Sequence, residues 1–314
     1  MPIRTYEGAV TLVTGGASGI GRALGEELAR RHAEVWLADL QHAAAEEVAA
    51  RIRRLGGRAT AVHLDVTDGA AFERVVAELF AKAGRLDYFF NNAGILVMGN
   101  ARFYEAPDWD KQLDVNVRGV CNGVRAVYPR MVAQGFGHIV NTASVAGLVA
   151  IPLLTGYSMT KHAVVGLSKA LRVEAAGYGV RVSALCPGVI RTPIVHGGVF
   201  GRALHTIEPE RMQRVWEQWL PSEVEPLVEG ALACVARNEG VIVLPRWLRA
   251  LTLAVRVAPA LETWLTKMQL ERARKLLPEL ERFQPRDGRE MVAEAGLLDR
   301  ADVPGKRTPL PQPN

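Results

Sequence analysis

The stretch Ala9-Val10-Thr11-Leu12-Val13-Thr14-Gly15-Gly16-Ala17-Ser18-Gly19-Ile20-Gly21 decides the fold of this chain. Its first five residues are apolar or β-branched and read as a buried strand. Glycines at 15, 19 and 21 then let the backbone turn sharply. Gly21 to Arg31, rich in Ala, Leu and Glu, reads as a helix. Its opening turn, near Gly19, aims free N–H groups at an anion lying over the loop. Glycines alone are a weak signal, but strand, loop and helix in this order are the context a pyrophosphate requires. Gly15, Ala17, Ser18, Gly19, Ile20 and Gly21 are therefore expected to contact a dinucleotide. Asp39 closes the next strand, eighteen residues after Gly21. A carboxylate there can accept both ribose hydroxyls of an adenosine and repels a 2′-phosphate. No basic residue stands at Ala17, Ser18 or Leu40 to welcome that phosphate. The expectation is NAD in preference to NADP. The competing reading of Asp39 is a helix N-cap.

Outward from this stretch, short apolar runs alternate with longer helical ones. Further strands are expected at 35–38, 59–64, 87–91, 138–142, 180–186 and 241–244, and helices at 42–55, 69–83, 108–134, 155–177 and 222–237. Nearly continuous apolar strands between helices signal a parallel sheet covered on both faces. Right-handed crossovers then give an α/β fold, a Rossmann-like doubly wound sheet of about seven strands. Residues 188–220, with several glycines and prolines and with Trp216 and Trp219, interrupt the rhythm and read as a substrate loop. Residues 1–245 form the expected catalytic domain, 246–284 a helical, basic-amphipathic extension, and 285–314 a polar, proline-bearing, poorly ordered tail.

The composition bounds the function. The 314 residues carry a net charge of +5, but no basic run is interleaved with stacking aromatics, so nucleic acid is not an expected partner. Cys121, Cys186 and Cys234 are widely spaced, which suits a reducing compartment and points to the cytoplasm. The first residues lack the apolar stretch of a secretory signal. None of the seven histidines stands in a ligand pattern, and no metal is expected.

Tyr157 and Lys161, four residues apart, share one helix face, with Ser144 thirteen residues upstream of Tyr157. A free phenol titrates near ~10 and is a poor base at neutral pH. A fixed cation beside it is expected to pull that value down and make a proton-transfer group without histidine. The plain alternative is a half-buried ring beside a solvated lysine.

Together these residues resemble the short-chain dehydrogenase/reductase family. The resemblance runs from about residue 7 to 195, and more weakly to 244. Its pieces stand in order: the 14–21 loop, Asp39, Asp65-Val66, Asn91-Asn92-Ala93-Gly94, Asn116, Ser144, Tyr157 with Lys161, and Pro187-Gly188 followed by Thr192. The resemblance implies that Asp65 and Val66 hold the adenine, while Asn92, Ala93 and Gly94 lie beside the cofactor and Asn91 braces the sheet. Asp65 could instead be a helix N-cap, and Asn116 a simple kink. In the family, Asn116 supports a water relay to Lys161, Ser144 donates to the substrate oxygen, and Tyr157 exchanges the alcohol proton. Lys161 would bind the nicotinamide ribose, and Ile190 and Thr192 the carboxamide, beyond Pro187 and Gly188. A homodimer through helices 108–134 and 155–177 is expected, with a tetramer as the alternative.

The chain departs from short members of the family by its last seventy or so residues. Arg246, Arg249 and Arg256 fall in one arc of a helix, with Trp247, Leu248, Leu251, Val255 and Ala258 around the rest. The favoured reading is a helix that roofs the substrate cleft. The rival is peripheral contact with an anionic membrane through 246–283. Val189, Ile194, Val195, Val199, Phe200, Leu204, Trp216 and Trp219, with Leu96, Val97, Met98, Val145, Leu148, Ile151, Leu153 and Leu154, suggest an apolar pocket. Arg191 and Arg202 could meet an anionic group. The expected substrate is a hydrophobic secondary alcohol or its ketone, of steroid, retinoid, fatty or aromatic type. A sugar-like carbonyl, and a nucleotide-sensing protein without turnover, are the rivals.

Overall fold

A computed structural model describes residues 3–195, 201–204 and 209–277. Seven strands form one parallel sheet: β1 (Val10–Thr14), β2 (Glu34–Asp39), β3 (Arg58–His63), β4 (Tyr88–Asn91), then the strands Gly137–Thr142, Val180–Pro187 and Val241–Leu244. A short strand after β4, Leu96–Met98, is β5, so these last three are β6, β7 and β9. The remaining strand, β8 (Gly201–Ala203), pairs only with β5, in a separate two-stranded parallel sheet. The large sheet runs in the order β3-β2-β1-β4-β6-β7-β9.

The helices are α1 (Gly19–Arg30), α2 (His42–Arg54), α3 (Gly69–Ala83), α4 (Ala106–Leu113), α5 (Gly119–Gln134), α6 (Thr155–Ala176), α7 (Pro209–Glu217), α8 (Val224–Ala236), α9 (Trp247–Val257) and α10 (Pro259–Leu276). Strand side chains alternate between the two faces of the sheet. In β2, Val35 and Leu37 join the core under α1, α2 and α8, whereas Trp36 and Ala38 join the core under α3 and α5. In β4, Tyr88 and Phe90 face the first core and Phe89 the second. Fully burying one such phenylalanine contributes about 2–3 kcal/mol.

β1 lies between β2 and β4, so the chain leaves it once to each side of the sheet. At such a reversal the loops beyond the strand C-termini separate and leave a crevice, the usual ligand position of open α/β sheets. β1, β4, β6 and β7 deliver Thr14, Asn91, Thr142 and Pro187 to that edge.

Three segments differ from the sequence reading. The run expected as one helix over 108–134 is interrupted at Asp114–Arg118 by a π-helical turn. Residues 188–220 contain β8 and α7 rather than only irregular chain. The extension is two helices, because Pro259 cannot donate a backbone hydrogen bond and disfavours helical geometry at Ala258. The described residues form one compact unit. The tail reading for 285–314 falls outside the described residues.

Candidate active site

A cleft of ≈ 530 Å³ opens at this edge, and its walls run from the glycine loop to α10. At the nucleotide end, Gly15 and Gly19 have φ of +69° and +52°, and a Cβ on Gly21 would lie 2.0 Å from the Gly15 carbonyl oxygen. Side chains are therefore excluded there by strain or by backbone contact. Ser18 is the N-cap of α1 but forms no side-chain cap bond, which leaves the opening N–H groups to an anion.

Asp39 is buried at the end of β2 and lines the cleft. Its carboxylate accepts from the Ala17 N–H at 3.0 Å and the Gln41 N–H at 2.9 Å. It thus braces the glycine loop, while the N-cap of α2 is Gln41. Asp65 accepts from the N–H and hydroxyl of Thr67 through one oxygen, and the other has no partner among the described residues. The N-cap of α3 is Asp68, so the capping alternative for Asp65 is corrected. Val66 is buried and lines the same wall. Asn92 and Ala93 both donate from the backbone to the Thr14 hydroxyl, at 2.9 and 3.0 Å. Asn91 instead donates to the Val120 carbonyl and to Asn141, and ties β4 to α5 and β6.

The reactive end is built from β6, β7 and α6. Ser144 caps a short turn over Val145–Gly147, its oxygen accepting from the Ala146 N–H at 3.1 Å. Its hydroxyl lies 3.5 Å from the Pro187 carbonyl, a long donation. Tyr157 projects from α6 into the cleft, with the Lys161 ammonium 5.4 Å from its ring centre. The ammonium donates to the Thr142 carbonyl at 2.9 Å. Burial pushes the Tyr157 phenol up to about 12, partly offset by the Ser144 hydroxyl, and lowers Lys161 to about 8. In the cofactor-free protein, burial thus outweighs the downward pull expected from the Lys161 charge. Both groups have lost water, which disfavours the charged form of each. Cys186, on β7 behind them, is held neutral by burial, its thiol pushed up to about 12.

Asn116 is wholly buried in the π-helical turn. Its Oδ1 accepts from the Ile95 N–H at 2.8 Å, while Nδ2 donates to the Ile95 carbonyl and to Thr160 on α6. The side chain works as a strand partner for Ile95, so a plain kink does not describe it. A Cβ on Gly94 would lie 3.2 Å from Asn116 and 3.3 Å from the Lys161 ammonium. Gly188 donates to the Leu244 carbonyl, Ile190 pairs with Ser222, and Thr192 sits against Gly19. The cleft lining thus brings together expected residues from seven separate segments of chain, while Ala17, Gly21 and Asn116 are not part of it.

The substrate end is apolar. Leu96, Met98, Val145, Ile151, Leu153, Leu154, Val189, Ile194, Trp216 and Trp219 line it. Val97 does not, because alternation in β5 turns it the other way, and Leu148 and Leu204 pack elsewhere. Val199 and Phe200, and the side chains of Val195 and Arg202, lie outside the described residues. Arg191 is paired with Glu217 and Glu223, so it is not placed to grip an anionic substrate. Sequence reasoning missed Thr142 and the individual α10 residues, whereas the roof it favoured for the residues after 245 lines the cleft as α9 and α10. Leu248, Leu251 and Val255 of α9 and Glu262, Leu265, Thr266, Gln269, Leu270 and Ala273 of α10 line the far side. The spacing of the α10 set is that of one helix face, a signal present in the sequence. Glu262 accepts from the Ala150 N–H at 2.7 Å and ties α10 to the loop after Ser144. No group of three or more metal-ligating side chains occurs among the described residues.

A dinucleotide-binding parallel sheet with a Ser, Tyr and Lys set at its switch point defines a class of oxidoreductases. The chain belongs to the short chain dehydrogenase family, whose pattern matches residues 9–198. It is 37% identical over 235 residues to oxidoreductase UcpA of Salmonella typhimurium, covering 74% of this chain and 88% of that protein. It is 40% identical over 185 residues to cyclopentanol dehydrogenase of Comamonas testosteroni, covering 59% and 74%. The crystal structure of a Burkholderia phymatum family member in complex with NAD superposes with a TM-score of 0.74 at 30% identity, over 82% of this chain and 96% of that one.

Proposed function

We propose that the protein interconverts a hydrophobic secondary alcohol and its ketone with NAD as the hydride carrier. The observation that carries this reading is the single cleft in which Ser144, Tyr157 and Lys161 stand between the glycine loop and an apolar chamber. A bound nicotinamide would supply the hydride acceptor for the carbinol carbon. Ser144 donates to the substrate oxygen and holds it beside Tyr157. The Tyr157 phenolate takes the hydroxyl proton in oxidation, and the phenol returns one in reduction. Lys161 would hold the nicotinamide ribose, and an oxidised ring there would add positive charge that favours the phenolate. Asn116 and the Thr142 carbonyl hold Lys161 and the adjoining strand in position.

NAD is preferred to NADP because Asp39 presents a buried carboxylate where a 2′-phosphate would lie. The lining residues support an apolar substrate, and so does the name of the Comamonas relative, a dehydrogenase of a cyclic alcohol. Oxidation is the favoured direction, since NAD pools are mostly oxidised. We place the protein in the cytoplasm as a homodimer joined through α5 and α6, with three free thiols consistent with a reducing compartment. The test is NADH absorbance with a panel of secondary alcohols: cyclopentanol, 2-decanol, a hydroxysteroid and a polyol. Turnover of the apolar members with NAD is expected. Turnover of the polyol alone would refute the reading.

A further inference from the structure

We infer that the outer side of the α9–α10 pair docks on an anionic lipid bilayer, with the substrate cleft directly behind it. Residues 246–276 carry seven basic side chains and two acidic ones, a net +5, which equals the net charge of the whole chain. The rest of the protein therefore cancels, and its excess cation is concentrated on this hairpin. Arg249, Arg256 and Lys267 have no carboxylate partner among the described residues. An anionic surface is the partner that this charge fits.

Charge alone would describe a solvated face, but this one also exposes large apolar side chains. Val257 is 85% exposed, Trp264 60%, Leu253 54% and Trp247 52%. The turn between the helices, Arg256–Ala260, is exposed throughout. At 100° per residue, Leu253 and Val257 lie opposite the stripe of α9 that faces the cleft, and Trp264 lies opposite that of α10. Both helices thus have two apolar sides. The inner side lines the cleft, and the outer side meets nothing else among the described residues. Exposed tryptophan and aliphatic side chains flanked by arginine and lysine are the arrangement of a helix lying in a bilayer interface. Neither helix is long and apolar enough to cross a membrane.

This docking does not depend on turnover. Its use does rest on the proposed apolar substrate. Such a molecule partitions into lipid, and Trp247 both lines the cleft and reaches the surface, so the docked hairpin borders the cleft.

The test is co-sedimentation of the full chain with vesicles of phosphatidylglycerol and phosphatidylcholine, against pure phosphatidylcholine. Binding to the anionic vesicles, weakened by salt, is expected. Each basic side chain near such a surface contributes about fivefold, so the Arg249→Glu/Arg256→Glu variant should bind at least about 25-fold more weakly. A Val257→Asp/Trp264→Asp variant should also lose binding. Both should keep wild-type turnover of cyclopentanol in solution, if that alcohol proves a substrate, and their thermal unfolding should match wild type. Failure of the wild type to sediment at low salt overturns the inference, as does equal binding by the variants. So does a change of oligomeric state in the second variant without vesicle binding by the wild type, which would make this face a contact between copies.

Discussion

Lys161 gives the sharpest quantitative test of the site. The residue is 3% exposed and its ammonium is lowered to about 8 by burial, with the Thr142 carbonyl as its hydrogen-bond acceptor. An unfolded lysine titrates near 10.4, so the charged form costs about 3 kcal/mol in the folded, cofactor-free protein. The sign follows from linkage. The folded value lies below the unfolded one, so the unfolded chain binds the proton more tightly. Stability is therefore lost as pH falls through about 8 and is regained as pH rises towards the unfolded value. Between pH 7 and 9.5, about 2 kcal/mol of the penalty should be relieved. Lys161→Met fills the same space without a titrating group. Urea unfolding of both proteins without cofactor, across that range, isolates the effect as a difference. The wild type should gain about 2 kcal/mol relative to the variant. The Tyr157 phenol, raised by burial to about 12, acts in the opposite direction but mainly above pH 10. A difference that stays flat between pH 7 and 9.5 would refute the picture of a desolvated ammonium.

Tyr157→Phe should retain dinucleotide binding, read by fluorescence quenching, and lose turnover by about 10²–10⁴-fold, the range of general acid–base catalysis. Asp39→Asn keeps an acceptor for the Ala17 N–H while removing the charge, and should shift the NADP-to-NAD ratio of kcat/KM upward by about tenfold or more. Gly21→Ala sets a methyl 2.0 Å from the Gly15 carbonyl oxygen, and should lower stability and dinucleotide affinity together in calorimetry. Gly166→Ala is its control: a Cβ there meets nothing within 4 Å on α6, so a gain of about 0.5–1 kcal/mol is expected.

The parts of the site that were legible in the sequence are local ones. The glycine loop announces itself because the need for positive φ and close backbone approach is met within a few residues. Lys161 and Tyr157 share a face by helix spacing alone. Asp39 is legible as the end of a strand, but its brace on Ala17 is not, since that contact depends on how the loop folds back. β5 has only three residues, and its partner Gly201–Ala203 lies about a hundred positions away, so neither shows a pattern of its own. The loss of water around Tyr157 and Lys161, which pushes the phenol up and the ammonium down, is not legible in the spacing. Spacing gives proximity, while desolvation comes from elements brought in from all along the chain. The break at Ala258 was the opposite case, since Pro259 marks it directly.

The widened turn at Asp114–Arg118 has a consequence for the whole molecule. A regular helix from Ala106 to Gln134 would keep one phase along its length and could serve only one layer. The slip in its hydrogen-bond ladder resets that phase. Upstream of it, Gln112 accepts from the Val97 N–H in the substrate layer. Downstream, Val120 accepts from Asn91 at the sheet. One rod is thereby geared to two differently angled surfaces, with Asn116 at the point where the gearing changes. Removing a single residue there would leave the rod intact and turn one end out of mesh with the other.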